Sequence, residues 1–70
     1  MTRLDKLTSE RARAFHRIGS LYVELSTMPA ESPEYVEHVR EIAALKLEVV
    51  KLQRRIVGAR MRKVKRYLAL

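Results

Sequence analysis

The chain has 70 residues, no cysteine, two glycines and two prolines, with 15 Lys or Arg against eight Asp or Glu and a formal net charge of +7. So short a chain makes at most one small domain and struggles to bury enough surface to stand alone. Without Cys it has neither a disulfide framework nor a thiolate metal site. No apolar run approaches the roughly 20 residues that span a bilayer, and no signal-peptide core opens the chain. The wealth of Leu, Val, Ala, Glu, Lys and Arg therefore predicts a soluble, cytoplasmic, all-α protein of one domain over residues 1–70.

The charge is one-sided. Residues 1–50 carry seven basic and eight acidic side chains, whereas residues 51–70 carry eight basic and no acidic ones. The whole positive excess thus comes from the final twenty positions. An excess gathered at one end points to an anionic partner near that end, where an evenly spread one would speak only of solubility.

In the first half, Leu4, Leu7, Arg11, Ala14, Ile18, Leu21, Leu25 and Met28 follow one another at steps of three and four. That is a heptad seam with one charged member, and it predicts a helix over about 3–28. Phe15 and Tyr22 sit one position after Ala14 and Leu21 and widen the apolar stripe. Thr2 with Asp5 three residues later has the form of a capping box, with Thr8 or Ser9 as alternative starts. Gly19 interrupts the helix at a cost of about 1 kcal/mol relative to Ala; it reads as the close approach of another helix or as a tolerated surface position. Arg11 reads either as half of a buried ion pair with Glu48 or as a side chain that snorkels its charge to the edge, the latter favoured.

The break falls in STMPAESPEY, residues 26–35. Pro29 drives Met28 out of helical geometry. Ser32 followed by Pro33 restarts the chain as an N-cap and first helical residue, and Glu34 and Glu37 place negative charge near the positive end of the new helix dipole. A loop at 29–32 and a second helix over about 33–69 follow.

That second helix carries Ile42, Leu45, Val49, Leu52, Ile56 and Ala59 at heptad spacing, beside a row of Val36, Ala43, Val50, Val57 and Val64. The seam fails where Lys63 and Arg66 take its next places, while the apolar row shifts to Val57, Met61, Val64 and Leu68. Two helices joined by so short a loop make an antiparallel hairpin. Folding it with Met28 against Tyr35 sets Leu25 against His38, Ile18 against Leu45, Leu7 against Ile56 and Leu4 against Ala59. At the helical rise the first rod is about 37 Å long and the second about 55 Å. Residues 60–70 then overhang as a basic helix without an intramolecular partner.

A lone hairpin leaves Phe15, Tyr22 and the valine row as an apolar strip larger than monomers usually expose. Pairing into a four-helix homodimer covers it, and docking on a larger assembly is the alternative. The interface residues expected on this ground are Phe15, Tyr22, Val50, Val57, Met61, Val64 and Leu68.

Signals for catalysis are weak. His16 and His38 lie on different helices and far apart in register, and Glu34 with His38 at i and i+4 reads as a surface pair rather than a metal site. Ser9, Ser20, Ser26 and Ser32 lack a nucleophile elbow, Gly19 and Gly58 form no phosphate loop, and Glu37 with Glu41 make a solvated face. The expectation is a protein that is not an enzyme and has no cofactor, metal or small-molecule substrate.

The residues expected to meet an anionic partner are Lys51, Arg54, Arg55, Arg60, Arg62, Lys63, Lys65, Arg66 and Tyr67. Along a nucleic acid they would contact phosphates, with Tyr67 stacking on a base or capping the apolar row, and no layout for base-specific readout accompanies them. A protein adaptor or inhibitor of the mobile-element or phage type is the second reading. In it the basic helix enters an acidic groove anchored by Met61, Val64 and Leu68. A membrane-surface helix is disfavoured by the narrow apolar row and its lack of Trp and Phe. In outline the hairpin resembles the small two-helix protein of the ribosomal large subunit, a likeness of architecture carried by no motif and broken by the basic extension.

Overall fold

A computed structural model describes residues 2–69 as two helices, α1 (Arg3–Ser26) and α2 (Pro33–Leu68), packed antiparallel. Their lengths, 24 and 36 residues, make α2 the longer rod. The molecule measures 60 × 18 × 13 Å.

The helix starts are chemical. Thr2 Oγ1 accepts from the Asp5 N–H at 3.1 Å while the Thr2 N–H donates to Asp5 Oδ2 at 3.3 Å, so two amides that the first turn leaves orphaned are satisfied reciprocally. Thr8 lies inside the helix and donates to the Leu4 carbonyl at 2.8 Å, so neither it nor Ser9 is a start. At α2, Ser32 Oγ accepts from the Tyr35 N–H at 3.3 Å with Pro33 in the first turn. Lys65 and Arg66 sit in the last turn of α2, where positive charge complements the carbonyl end of the dipole.

The first helix ends two residues before the expected Met28, and the connection is six residues long, 27–32, rather than four. Two hydroxyls draw the end back. Ser26 Oγ donates to the Val23 carbonyl at 2.6 Å and Thr27 Oγ1 to the Glu24 carbonyl at 3.1 Å, competing with the helical ladder. The Thr27 and Met28 amides close a tighter turn on Glu24 and Leu25, and Pro29 finishes the break. At the other end, Ala69 is the C-cap of α2 rather than its last residue, and Leu70 lies outside the described residues.

The expected seams are the buried faces. Leu7, Ala14, Ile18 and Leu21 are buried on α1, and Ile42, Leu52 and Ile56 on α2. These side chains gather into two clusters. Leu7, Leu52 and Ile56 pack with Leu4 at the end far from the loop; Ile18, Leu21 and Ile42 pack with Leu25, Leu45 and Val49 nearer to it. Arg11 lies between them. It is half-buried, and its guanidinium donates from Nη1 to Gln53 Oε1 at the edge of the hairpin rather than pairing with Glu48. Among the described residues no charged side chain is buried, as the cost of desolvating an unpaired charge requires.

One flank of the hairpin is polar. Arg17 Nε lies 3.1 Å from Glu41 Oε1 across the two helices, an exposed pair that contributes little. His38 bridges a carbonyl and a carboxylate: Nδ1 meets the Glu34 carbonyl at 2.9 Å and Nε2 meets Glu24 Oε2 on α1. Only the imidazolium donates from both nitrogens. The Glu24 hydrogen bond therefore raises the His38 pKa, partial desolvation opposes it, and the Glu34 carbonyl and the Glu24 and Glu41 charges reinforce the rise.

Two outcomes follow from this packing. The folded pKa of His38 lies above its unfolded value of about 6.5. Its contribution is thus complete below that pH and is lost as pH rises through the folded value. Melting curves across that window should show Tm falling with pH in the wild type, with the fall reduced in His38→Asn and in Glu24→Gln; an equal fall in all three would refute the link. At Gly19 an added Cβ meets nothing within 4 Å. Gly19→Ala should therefore stabilise the hairpin by about 1 kcal/mol in urea unfolding, and a destabilised variant would mean that a partner helix crosses there.

Candidate nucleic-acid interface and apolar face

With 100° between successive residues, the two apolar rows of α2 lie on different faces. The seam faces α1. On the far side of α2 the apolar row is longer than the valines alone suggest: Val36, Arg40, Ala43, Leu47, Val50, Arg54, Val57, Met61, Val64 and Leu68 recur at steps of four and three. It is a second heptad seam, with arginine at two of its ten places. Leu47 is 57 % exposed and Leu68 77 %, with Val36, Val50, Val57, Met61 and Val64 each about half exposed. Leu47 lies outside the expected valine row because it occupies a different heptad position, three residues before Val50.

Beyond Ala59 the helix has no α1 beside it, because α1 begins at Arg3. All of residues 60–69 are exposed. Lys65, Arg62, Arg66, Lys63 and Arg60 occupy a continuous arc of roughly 200° around this overhang, and Met61, Val64 and Leu68 occupy the rest. Tyr67, 80 % exposed, lies on the Arg60 side of the helix, away from the apolar row. Lys51, Arg54 and Arg55 are exposed but run alongside the hairpin body, not on the overhang.

A cleft of about 400 Å³ marks the step where α1 ends and α2 continues, lined by Thr2, Arg3, Leu4, Ala59, Arg62, Lys63 and Arg66. It brings four cationic side chains together. Arg3 was not among the expected binding residues, although the antiparallel register already places the start of α1 beside residue 60. Among the described residues no ion pair and no side-chain hydrogen bond engages any basic residue from Lys51 to Arg66.

Phe15 and Tyr22 lie on α1, Tyr22 sharing a groove with Ala43 of the row. Phe15 is 55 % exposed on α1. Tyr22 stands beneath the Lys46 ammonium, 5.3 Å from Nζ to the ring centroid, and lines a groove of about 310 Å³ with Leu25, Tyr35, Val39, Ile42 and Ala43. Phe15 sits abreast of Glu48 in register, about 20 Å along the axis from Met61. The structure therefore does not gather the expected interface residues into one patch: α1 contributes a short aromatic flank and α2 the long row.

Comparison with protein-family models, with curated proteins and with solved structures found no match to this chain. Among the described residues no helix is long and apolar enough to cross a membrane.

Proposed function

We propose that this protein is a non-enzymatic binding hairpin, active as a homodimer, whose basic α2 overhang holds the phosphates of a nucleic acid without reading base edges. One observation carries the proposal: the basic arc of the overhang, joined by Arg3, is exposed and makes no ion pair among the described residues. Phosphates supply the compensating charge, and release of their counterions supplies affinity. Side chains spread over so wide an arc suit a backbone lying on several sides of the helix better than a groove-reading face. Tyr67, exposed on the same overhang, would stack on an unpaired base.

Fluorescence anisotropy with a labelled duplex and a labelled single strand tests this. Binding should weaken steeply with salt, with a slope of log K on log salt of about −4 to −5 for five duplex phosphate contacts. Changing Arg60, Arg62, Lys63 and Arg66 together to Glu should abolish it, and Arg3→Glu should weaken it at the same cleft. Tyr67→Ala should cost about 1–3 kcal/mol on the single strand and little on the duplex. No wild-type binding at about 50 mM salt, where phosphate contacts are strongest, would sink the proposal.

A second reading, an adaptor or inhibitor of a host protein, is favoured by the exposed Met61, Val64 and Leu68 on the same overhang. Its signature is nuclease-resistant capture of an acidic protein, lost when Met61 and Leu68 are both changed to Asp.

A further inference from the structure

Resting on the dimer reading above, we infer that a second copy of the chain pairs with the outer row of α2, antiparallel, about a two-fold axis beside Leu52. Nine of the large apolar side chains left exposed belong to α2, and seven of them (Val36, Leu47, Val50, Val57, Met61, Val64 and Leu68) fall in this single row. Heptad spacing on a helix face already backed by its own hairpin is the pattern of a surface that receives another helix.

The row is complementary to itself. Turned end for end about Leu52, Val36 meets the partner's Leu68, Ala43 meets the partner's Met61 and Leu47 meets the partner's Val57. Arg40 and Arg54 meet the partner's Val64 and the partner's Val50, their stems covering valine while their charges reach the edge. Every place in the row then has a counterpart. Sliding one helix by a heptad leaves either Val36 and Arg40 or Val64 and Leu68 beyond the end of the other row, so a single register uses the whole surface.

Charge selects the direction. Residues 31–50 carry five acidic and two basic side chains, and residues 51–70 carry eight basic and none acidic. Antiparallel pairing sets each basic half beside the acidic half of the other copy; parallel pairing sets eight positive charges against eight. A second copy is thus the occupant that both the spacing and the charge fit. The pairing also divides the overhang. Met61, Val64 and Leu68 turn inward to the partner, while Arg62, Lys63 and Arg66 turn outward with the Arg3 cleft.

Spin-label distances read this directly, since the described residues hold no native cysteine to compete. Lys51→Cys and Lys65→Cys occupy the same heptad position, both exposed and beside the row. In the inferred dimer the two labels at position 51 lie within about 20 Å of each other, and those at 65 about 40 Å apart, the axial offset being about 1.5 Å per residue. Equal short distances at both sites mean parallel pairing and overturn the inference. Leu47→Asp and Val57→Asp should each weaken the dimer on the order of 100-fold or more in sedimentation, with helicity by circular dichroism retained because both side chains face away from α1. A dimer that survives both changes but is broken by Phe15→Asp is built on the α1 flank, which again overturns it. A wild-type monomer at micromolar concentration removes this inference and the dimer reading together, whereas anisotropy on the same samples reports nucleic-acid binding separately.

Discussion

Apolar side chains spaced at three and four can be buried only against another helix, and α1 is twelve residues shorter than α2. That inequality organises the molecule. Where both helices are present the inward seams bury each other and leave a modest core, in which Leu21 and Ile56 are sealed completely. Where α1 stops, the seam positions of α2 turn to Lys63 and Arg66. A lysine or arginine there would be costly opposite a helix and costs nothing in water. The change of residue type therefore belongs with the change of environment: the seam becomes charged at the point where there is no longer anything for it to pack against.

The same logic explains why the outer row of α2 does not stop there. Its apolar residues run from Val36 to Leu68, past the end of α1, as though indifferent to it. A face that served only to complete the hairpin would have no reason to stay apolar beyond Ala59. Its continuity across the step is the feature that separates it from the inward seam, and it gives the overhang two characters on opposite sides, one basic and one apolar.

Much of this was legible in the residues. The capping box at Thr2 and Asp5, the Ser32–Pro33 restart and the two inward seams are local or periodic signals, and short-range chemistry determines them. What escaped was set by competition or by juxtaposition. The end of α1 depends on the Ser26 and Thr27 hydroxyls outbidding the helix ladder, a balance that periodicity does not report. The choice of Gln53 over Glu48 by Arg11 depends on which edge of the hairpin lies within reach of the guanidinium. Arg3 joins the basic cleft only because the antiparallel turn carries it there, sixty residues along the chain from its neighbours Arg62 and Lys63.

The polar break at Arg11 bears on how the hairpin opens. It divides the core into a unit near the loop, closed by partners such as Ile18 and Ile42, and a unit near the free ends, closed by Leu7 with Ile56. The first joins segments close in sequence and the second joins distant ones, so chain entropy favours the loop end as the place where folding begins. By the same argument, fraying would start at the far unit, where loop closure costs most. It lies directly behind the basic cleft, and gripping a ligand there by Arg3 and Arg62 would hold the two strands of the hairpin together like a clasp on an unfastened hinge.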